Sequence, residues 1–271
     1  MRINSWRIRM GLPPATFWLL FSLVAVYLLQ VFNAYVIHLP LESFFGLSIS
    51  GIMQGHLWQF LTYQFLHGGT MHIVVNGLMF YFLGAEVERA MGRRHFLLLY
   101  FLSGVIGGLG WTLFTYPYAG VCVGASAAIF GLLSAFAVLY PQREVTLLLM
   151  FVFPVTLKAW VLALGLGLIQ VLFTISPSGG GIAYSAHLAG GLAGLIYTIT
   201  VFRPELWGAL VGRSKSVIAT HTQARTIRHA EANREEMDRL LDKISRDGIH
   251  ALTPAERRRL EEISRARGKS R

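Results

Sequence analysis

Gly124-Ala125-Ser126-Ala127-Ala128-Ile129-Phe130-Gly131 opens an apolar run that continues to Tyr140. Ala186-His187-Leu188-Ala189-Gly190-Gly191 lies near the start of another, from Tyr184 to Phe202. Both runs have the character of bilayer crossings, and each carries one reactive side chain near its start. Polar or ionisable groups inside a membrane segment are costly and mark function. A serine and a histidine able to meet there suggest a nucleophile and its base.

The surrounding chain supports a membrane reading. Of 271 residues, 54% are hydrophobic and only 14% are charged, against roughly 25% charged in soluble domains. A hydrocarbon core of roughly 30 Å takes about 20 apolar residues. Six windows approach this, at Ala15–Ile37, His72–Gly84, Phe96–Tyr116, Gly124–Tyr140, Leu157–Thr174 and Tyr184–Phe202. The second and fourth are short. The first apolar run exceeds a signal-peptide core and no small-x-small cleavage site follows it, so a cleaved leader is not expected. The fold class expected is all-α: a polytopic six-helix membrane domain over residues 15–203, after an N-terminal stretch 1–14 and before a hydrophilic tail 204–271.

Arginine and lysine set the orientation. None occurs between Gly11 and Glu88, between His95 and Gln142, or between Ala159 and Phe202. The positive-inside rule therefore assigns both termini, and the loops after the second and fourth spans, to the cytoplasm. The net charge of +10 reflects this topology, and nucleic-acid binding is not expected. The single cysteine, Cys122, excludes an intrachain disulfide and reads as a buried apolar filler.

Between His38 and Gly69 the chain is too polar and glycine-interrupted to span, and its aromatic residues suit the outer interface. Val145–Phe153 is apolar but ends at Phe153-Pro154, which disfavours a continuing helix. It is expected to pack along the inner interface before a fifth span begins near Lys158. In the tail, Met237, Leu240, Leu241 and Ile244 form a helical stripe, with Gly248 as its stop. Thr253-Pro254-Ala255-Glu256 has the pattern of a capping box opening a second helix. Together they predict a helical hairpin, either docked on an unidentified partner or a second copy, or solvated near anionic lipid.

Under this orientation His72, Ser126 and His187 all lie close to the outer end of their spans. His72 and Asn76 share a helix face at i, i+4. Two donors aimed at one point suit an oxyanion hole, where one is typically worth about 3–4 kcal/mol; the alternative is interhelical hydrogen bonding. Lysines are absent on this side and Glu42 is its only carboxylate, so a dyad is expected rather than a Ser-His-Asp triad. Phe130, one turn after Ser126, can stack on the His187 ring. Gly124 near the serine, and Gly190 and Gly194 on the face of His187, permit close helix approach.

These residues resemble the rhomboid family of intramembrane serine proteases. The likeness runs from about Trp58 to Gly194. It includes Phe65-Leu66-His67, His72 with Asn76, Gly84-x-Glu86 with Gly92, Gly124-x-Ser126, and Ala186-His187-x-x-Gly190-x-x-x-Gly194. The resemblance implies Ser126 as nucleophile and His187 as general base. His72, Asn76 and the Ser126 N–H become oxyanion stabilisers, and Phe130 the aromatic stacked on the base. It implies no cofactor and no metal, transmembrane proteins as substrates, and the lipid bilayer as surroundings. The tail is similar to an extension of some bacterial rhomboids, which suggests the bacterial cytoplasmic membrane. Ala127 stands where the family usually has glycine, and its methyl group is expected to crowd the site or narrow substrate choice. The competing function is a catalytically silent rhomboid-like protein that binds and routes membrane helices. A small transporter fits hydropathy but lacks paired half-helix repeats and intramembrane acids.

Overall fold

The structure is a computed structural model describing residues 11–116, 120–149, 153–175, 183–206 and 232–268. It divides into two compact units, 1–204 and 205–271. In the first, α1 (Pro14–Phe32) begins with proline at its first helical position and continues as a π-helical turn, Asn33–Ile37. Next come short helices at Leu41–Phe45, Ile49–Met53 and Gln59–Thr62, with the strand β1 (Leu47–Ser48) among them. The 46-residue α2 (Thr70–Thr115) is two helices meeting at Gly92, whose φ of 78° is left-handed and favours glycine. The chain then forms β2 (Val121–Cys122), α3 (Ser126–Leu139), β3 (Glu144–Leu149), β4 (Phe153–Lys158), α4 (Ala159–Ile175) and α5 (Tyr184–Phe202).

Among the described residues, three helices are long and apolar enough to cross a membrane: Pro14–Ile37, Thr70–Thr115 and Tyr184–Phe202. Ser126–Leu139 and Ala159–Ile175 are apolar but shorter. α3 is the hub. Ala127, Ala128, Ile129, Gly131, Leu132, Leu133, Ala135 and Phe136 are all buried, packed with Leu23, Phe80, Phe96, Leu99 and Tyr100 in one core cluster or against Tyr63 and Trp111 in another. The remaining face, with Ser126, Phe130 and Ser134, is only partly buried.

The chain is mostly helical, as expected for a helical membrane bundle, and its described residues include two small antiparallel sheets. One pairs Leu47 with Cys122 and Ser48 with Val121, tying the loop after α1 to the segment before Ser126. The other is the hairpin of β3 and β4, where an apolar interfacial stretch was expected and where Leu157 was placed in a span. Its sequence alternates: Val145, Leu147 and Leu157 turn toward the core, while Thr146 and Thr156 face out with their hydroxyls 2.8 Å apart. Glu144 pairs with Lys158 across the ladder. Period-two alternation with β-branched residues is strand behaviour, and it delays the next helix to Ala159. The helix expected at His72–Gly84 likewise begins earlier, at Thr70, and runs past Gly84 toward the break at Gly92.

The far end of the first arm of α2 is held by acid–base contacts. Glu88 is buried and accepts from the Ala15 N–H (2.9 Å), the Thr16 N–H (2.6 Å) and the Thr16 hydroxyl (2.8 Å). A carboxylate on the free N–H groups at a helix start satisfies them and complements the dipole. Next to it, Glu86 pairs with Arg89 at 2.9 Å and Arg143 at 2.5 Å.

The second unit is described from residue 232. Residues 232–247 are helical, and a second helix spans Pro254–Gly268. Leu240 and Ile263 are buried. Glu256 accepts from the Thr253 N–H (2.8 Å) while its own N–H donates to Thr253 Oγ1 (3.3 Å), a reciprocal cap. Lys243 reaches both Glu256 oxygens at 3.0 Å.

Candidate active site

Ser126 is the first residue of α3, and the turn before it is fixed from outside the helix. The Gly124 N–H donates to the Tyr63 carbonyl at 2.9 Å, and the Tyr63 hydroxyl donates to the Gly104 carbonyl at 2.6 Å. One buried tyrosine thus ties the second arm of α2 to the residue before the serine turn. Gly124 has φ 124°, and a Cβ there would sit 2.8 Å from His72 Cε1 and Nε2. Glycine is needed on both counts.

His187 lies in the first turn of α5. Its Nε2 is 2.7 Å from Ser126 Oγ, and its ring lies parallel to Phe130, with centroids 4.7 Å apart and planes 7° apart. The two helices come this close because glycine faces backbone. A Cβ on Gly190 would strike the Ala127 carbonyl, and one on Gly194 would strike the backbone of Gly131. The structure therefore brings together Ser126, His187, Phe130, Gly190 and Gly194, each singled out from sequence.

Ser126, His187, Phe130, His72 and Asn76 line a cavity of about 650 Å³. The Asn76 amide nitrogen is buried and has no hydrogen-bond partner among the described residues. His72 Nδ1 accepts from the Gly68 N–H at 3.4 Å. A ring nitrogen that accepts leaves its partner to carry the proton, so Nε2–H of His72 is a donor beside Gly124. The His72 ring and the Asn76 amide nitrogen both lie close to Gly124 and line the same cavity as Ser126.

His67 stands edge-on to His72 with ring centroids 5.1 Å apart. Burial first, and then the charge His72 can carry, lowers its pKa to about 4. It is neutral at physiological pH. Among the described residues no group of three or more His, Cys, Asp and Glu converges on a point suited to a metal ion. Cys122 is buried and its pKa is pushed up to about 12 by that burial.

Ala127 does not line the cavity. A Cβ on Gly107 would lie 2.5 Å from the Ala127 methyl group, so that methyl fills the space over Gly107 in the second arm of α2. The expected crowding of the site by this residue does not occur.

One polar neighbour was not anticipated from sequence. Gln170, in the middle of α4, is buried, and its Oε1 lies 3.0 Å from His187 Nδ1. The signal was available: a lone amide inside the run Leu157–Thr174, the same kind of anomaly that marked Ser126 and His187.

Comparison with known proteins bears on this geometry. The family model described as Rhomboid domain matches residues 54–204, and residues 228–266 match a family of unknown function. Rhomboid-related protein 2 of Mus musculus is 29% identical over 209 residues, covering 70% of this chain and 65% of that protein. Rhomboid protease GlpG of Yersinia pestis is 26% identical over 190 residues, covering 70% of this chain and 63% of that protein. Inactive RHOMBOID-like protein 8 of Arabidopsis thaliana is 35% identical over 96 residues, covering 35% of this chain and 27% of that protein. The chain thus spans less than two thirds of the length of each of these relatives.

Proposed function

The chain belongs to the rhomboid family of integral membrane proteins, and from that premise we propose that it is an intramembrane serine endopeptidase working through Ser126 and His187. The observation that carries the reading is the 2.7 Å contact between Ser126 Oγ and His187 Nε2 at the wall of a cavity that His72 and Asn76 also line.

The chemistry follows from the positions. Ser126 Oγ attacks the carbonyl carbon of a substrate peptide bond while its proton passes to Nε2 of His187. The carbonyl oxygen gains the negative charge and turns toward the Asn76 amide, the His72 Nε2–H and the Ser126 N–H. Collapse breaks the C–N bond, and His187 returns the proton to the leaving amine. Water, deprotonated in turn by His187, releases the acyl group and restores the serine. A substrate helix must unwind locally, because intrahelical hydrogen bonds occupy its carbonyls. Transmembrane proteins with small or helix-breaking residues near the cut are the substrates this favours. Ser126, His187, His72 and Asn76 complete the reaction without a cofactor or metal.

The membrane arrangement belongs to the same proposal. Counting the arms of α2 as separate crossings gives six spans over residues 15–203. α3 can be short because other helices, rather than lipid, surround it. Arginine placement puts both termini in the cytoplasm, with residues 204–271 as a cytoplasmic tail whose partner is unknown. The bacterial cytoplasmic membrane suits this arrangement.

A relative named as inactive supplies the rival reading, a silent helix-binding protein. Purified full-length chain with a single-span model substrate separates the two. Cleavage by the wild type but not by Ser126→Ala supports the protease; equal processing by both would remove the dyad, and no cleavage by the wild type would favour the silent protein.

A further inference from the structure

The dyad leaves one buried polar group beside it without a task. Gln170 sits between apolar neighbours in α4, and its amide makes two contacts. Nε2 donates to the Leu166 carbonyl one turn earlier at 3.3 Å. A carbonyl oxygen only accepts, so the NH₂ end of the amide must face it and the oxygen must face away. That oxygen meets His187 Nδ1 at 3.0 Å. An amide oxygen also only accepts, so Nδ1 carries the proton. Nε2 of the neutral ring then keeps its lone pair, directed at Ser126 Oγ.

We propose that Gln170 is a positioning residue that holds His187 in the tautomer able to take the Ser126 proton, the third member of a hydrogen-bonded chain Ser126–His187–Gln170. The inference rests on the protease reading and adds a third member to it. Phe130 fixes the plane of the imidazole from one face, but stacking alone tolerates the half-turn flip about Cβ–Cγ that exchanges the ring edges. The contact at Nδ1 removes this freedom and selects which nitrogen is bare. The amide acts on the ring through its oxygen alone, and any acceptor oxygen at the same reach would hold Nδ1–H in the same way. A triad's third residue acts through orientation and tautomer, and an amide can supply both.

Interhelical hydrogen bonding between α4 and α5 is the competing role, and it makes different demands. The test uses the full-length chain in liposomes with a single-span substrate, comparing wild type, Gln170→Leu, Gln170→Met, Gln170→Glu and Ser126→Ala. The inference expects the Leu and Met variants to lose about tenfold in kcat, the scale of one hydrogen bond, with KM within about twofold. Gln170→Glu, which keeps an acceptor at the same reach, should recover most of that loss. Wild-type kcat in both apolar variants would overturn it. So would a loss that Gln170→Glu fails to recover, since packing or helix association then explains the effect. A wild type no more active than Ser126→Ala overturns the protease reading, and this inference with it.

Discussion

The Phe130 ring lies flat against the His187 imidazole, 7° from parallel with centroids 4.7 Å apart. The two residues come from different helices, and the contact depends on the close approach of α3 and α5 at Gly190 and Gly194. A stacked aromatic restrains ring tilt and is worth roughly 0.5–1.5 kcal/mol beyond its buried area. Phe130→Leu is therefore expected to lower kcat about tenfold with little change in KM, while Phe130→Tyr retains most activity. Steady-state kinetics on a single-span substrate check this; an unchanged kcat in Phe130→Leu would mean the stack has no part in holding the base.

Gly124→Ala tests the arrangement of donors. The added methyl group would enter the space of the His72 ring, at a backbone conformation that L side chains disfavour. Displacing one oxyanion donor typically costs 10²–10³ in rate. A loss of about a hundredfold in kcat/KM is expected. Near-wild-type turnover would show that His72 does not need its present position.

Ala127 and Gly107 form a size-matched pair. Ala127→Gly opens a void and adds backbone freedom, an expected loss of about 1 kcal/mol with cleavage retained. Gly107→Val forces two helices apart and is expected to cost more, about 1–3 kcal/mol. Thermal unfolding in detergent compares them. If Ala127→Gly instead changed substrate choice and left stability alone, the methyl group would have to act on the cavity.

Cys122 should be chemically quiet. Burial raises its pKa to about 12, and a raised acid pKa keeps the thiol protonated below that value. The thiolate is the reactive form, and it is scarce near pH 8. Iodoacetamide is expected to modify it only after unfolding, with mass spectrometry as the readout. Rapid alkylation of the folded chain would contradict this.

Glu88→Ala should weaken the anchoring of α1. Three donors at the helix start lose their acceptor, and hydrogen bonds to a charged group are worth about 1.5–3 kcal/mol each before relaxation and solvation offset part of the loss. A net loss of about 3 kcal/mol is expected in the same unfolding assay, with Glu88→Gln less affected. A change within about 0.5 kcal/mol would reduce the cap to a surface contact.

Much of this was legible in the sequence because lipid penalises polar groups. Ser126, His72, Asn76 and His187 stand out against apolar surroundings, and the structure gathers all four around one cavity. The same rule covered Gln170, but a neutral amide in mid-run is easily read as tolerated, and its partner lies on another helix. The β3–β4 hairpin is hard to read because Leu147 to Phe153 is uninterrupted apolar sequence, alternation being confined to Glu144–Leu147 and Val155–Lys158, and Phe153-Pro154 marks only where helix is disfavoured. The fit of Ala127 over Gly107 could not be read at all. Which face of α3 meets which arm of α2 is a property of packing, and no local pattern encodes it.

The central claim is that His187 makes Ser126 nucleophilic, and a fluorophosphonate probe reads this without any assumption about substrate. Incubated with the purified full-length chain and digested for mass spectrometry, the probe should leave its adduct on Ser126 in the wild type and fail to do so in His187→Ala. No adduct on wild-type Ser126, or labelling of His187→Ala at the wild-type rate, would contradict the account.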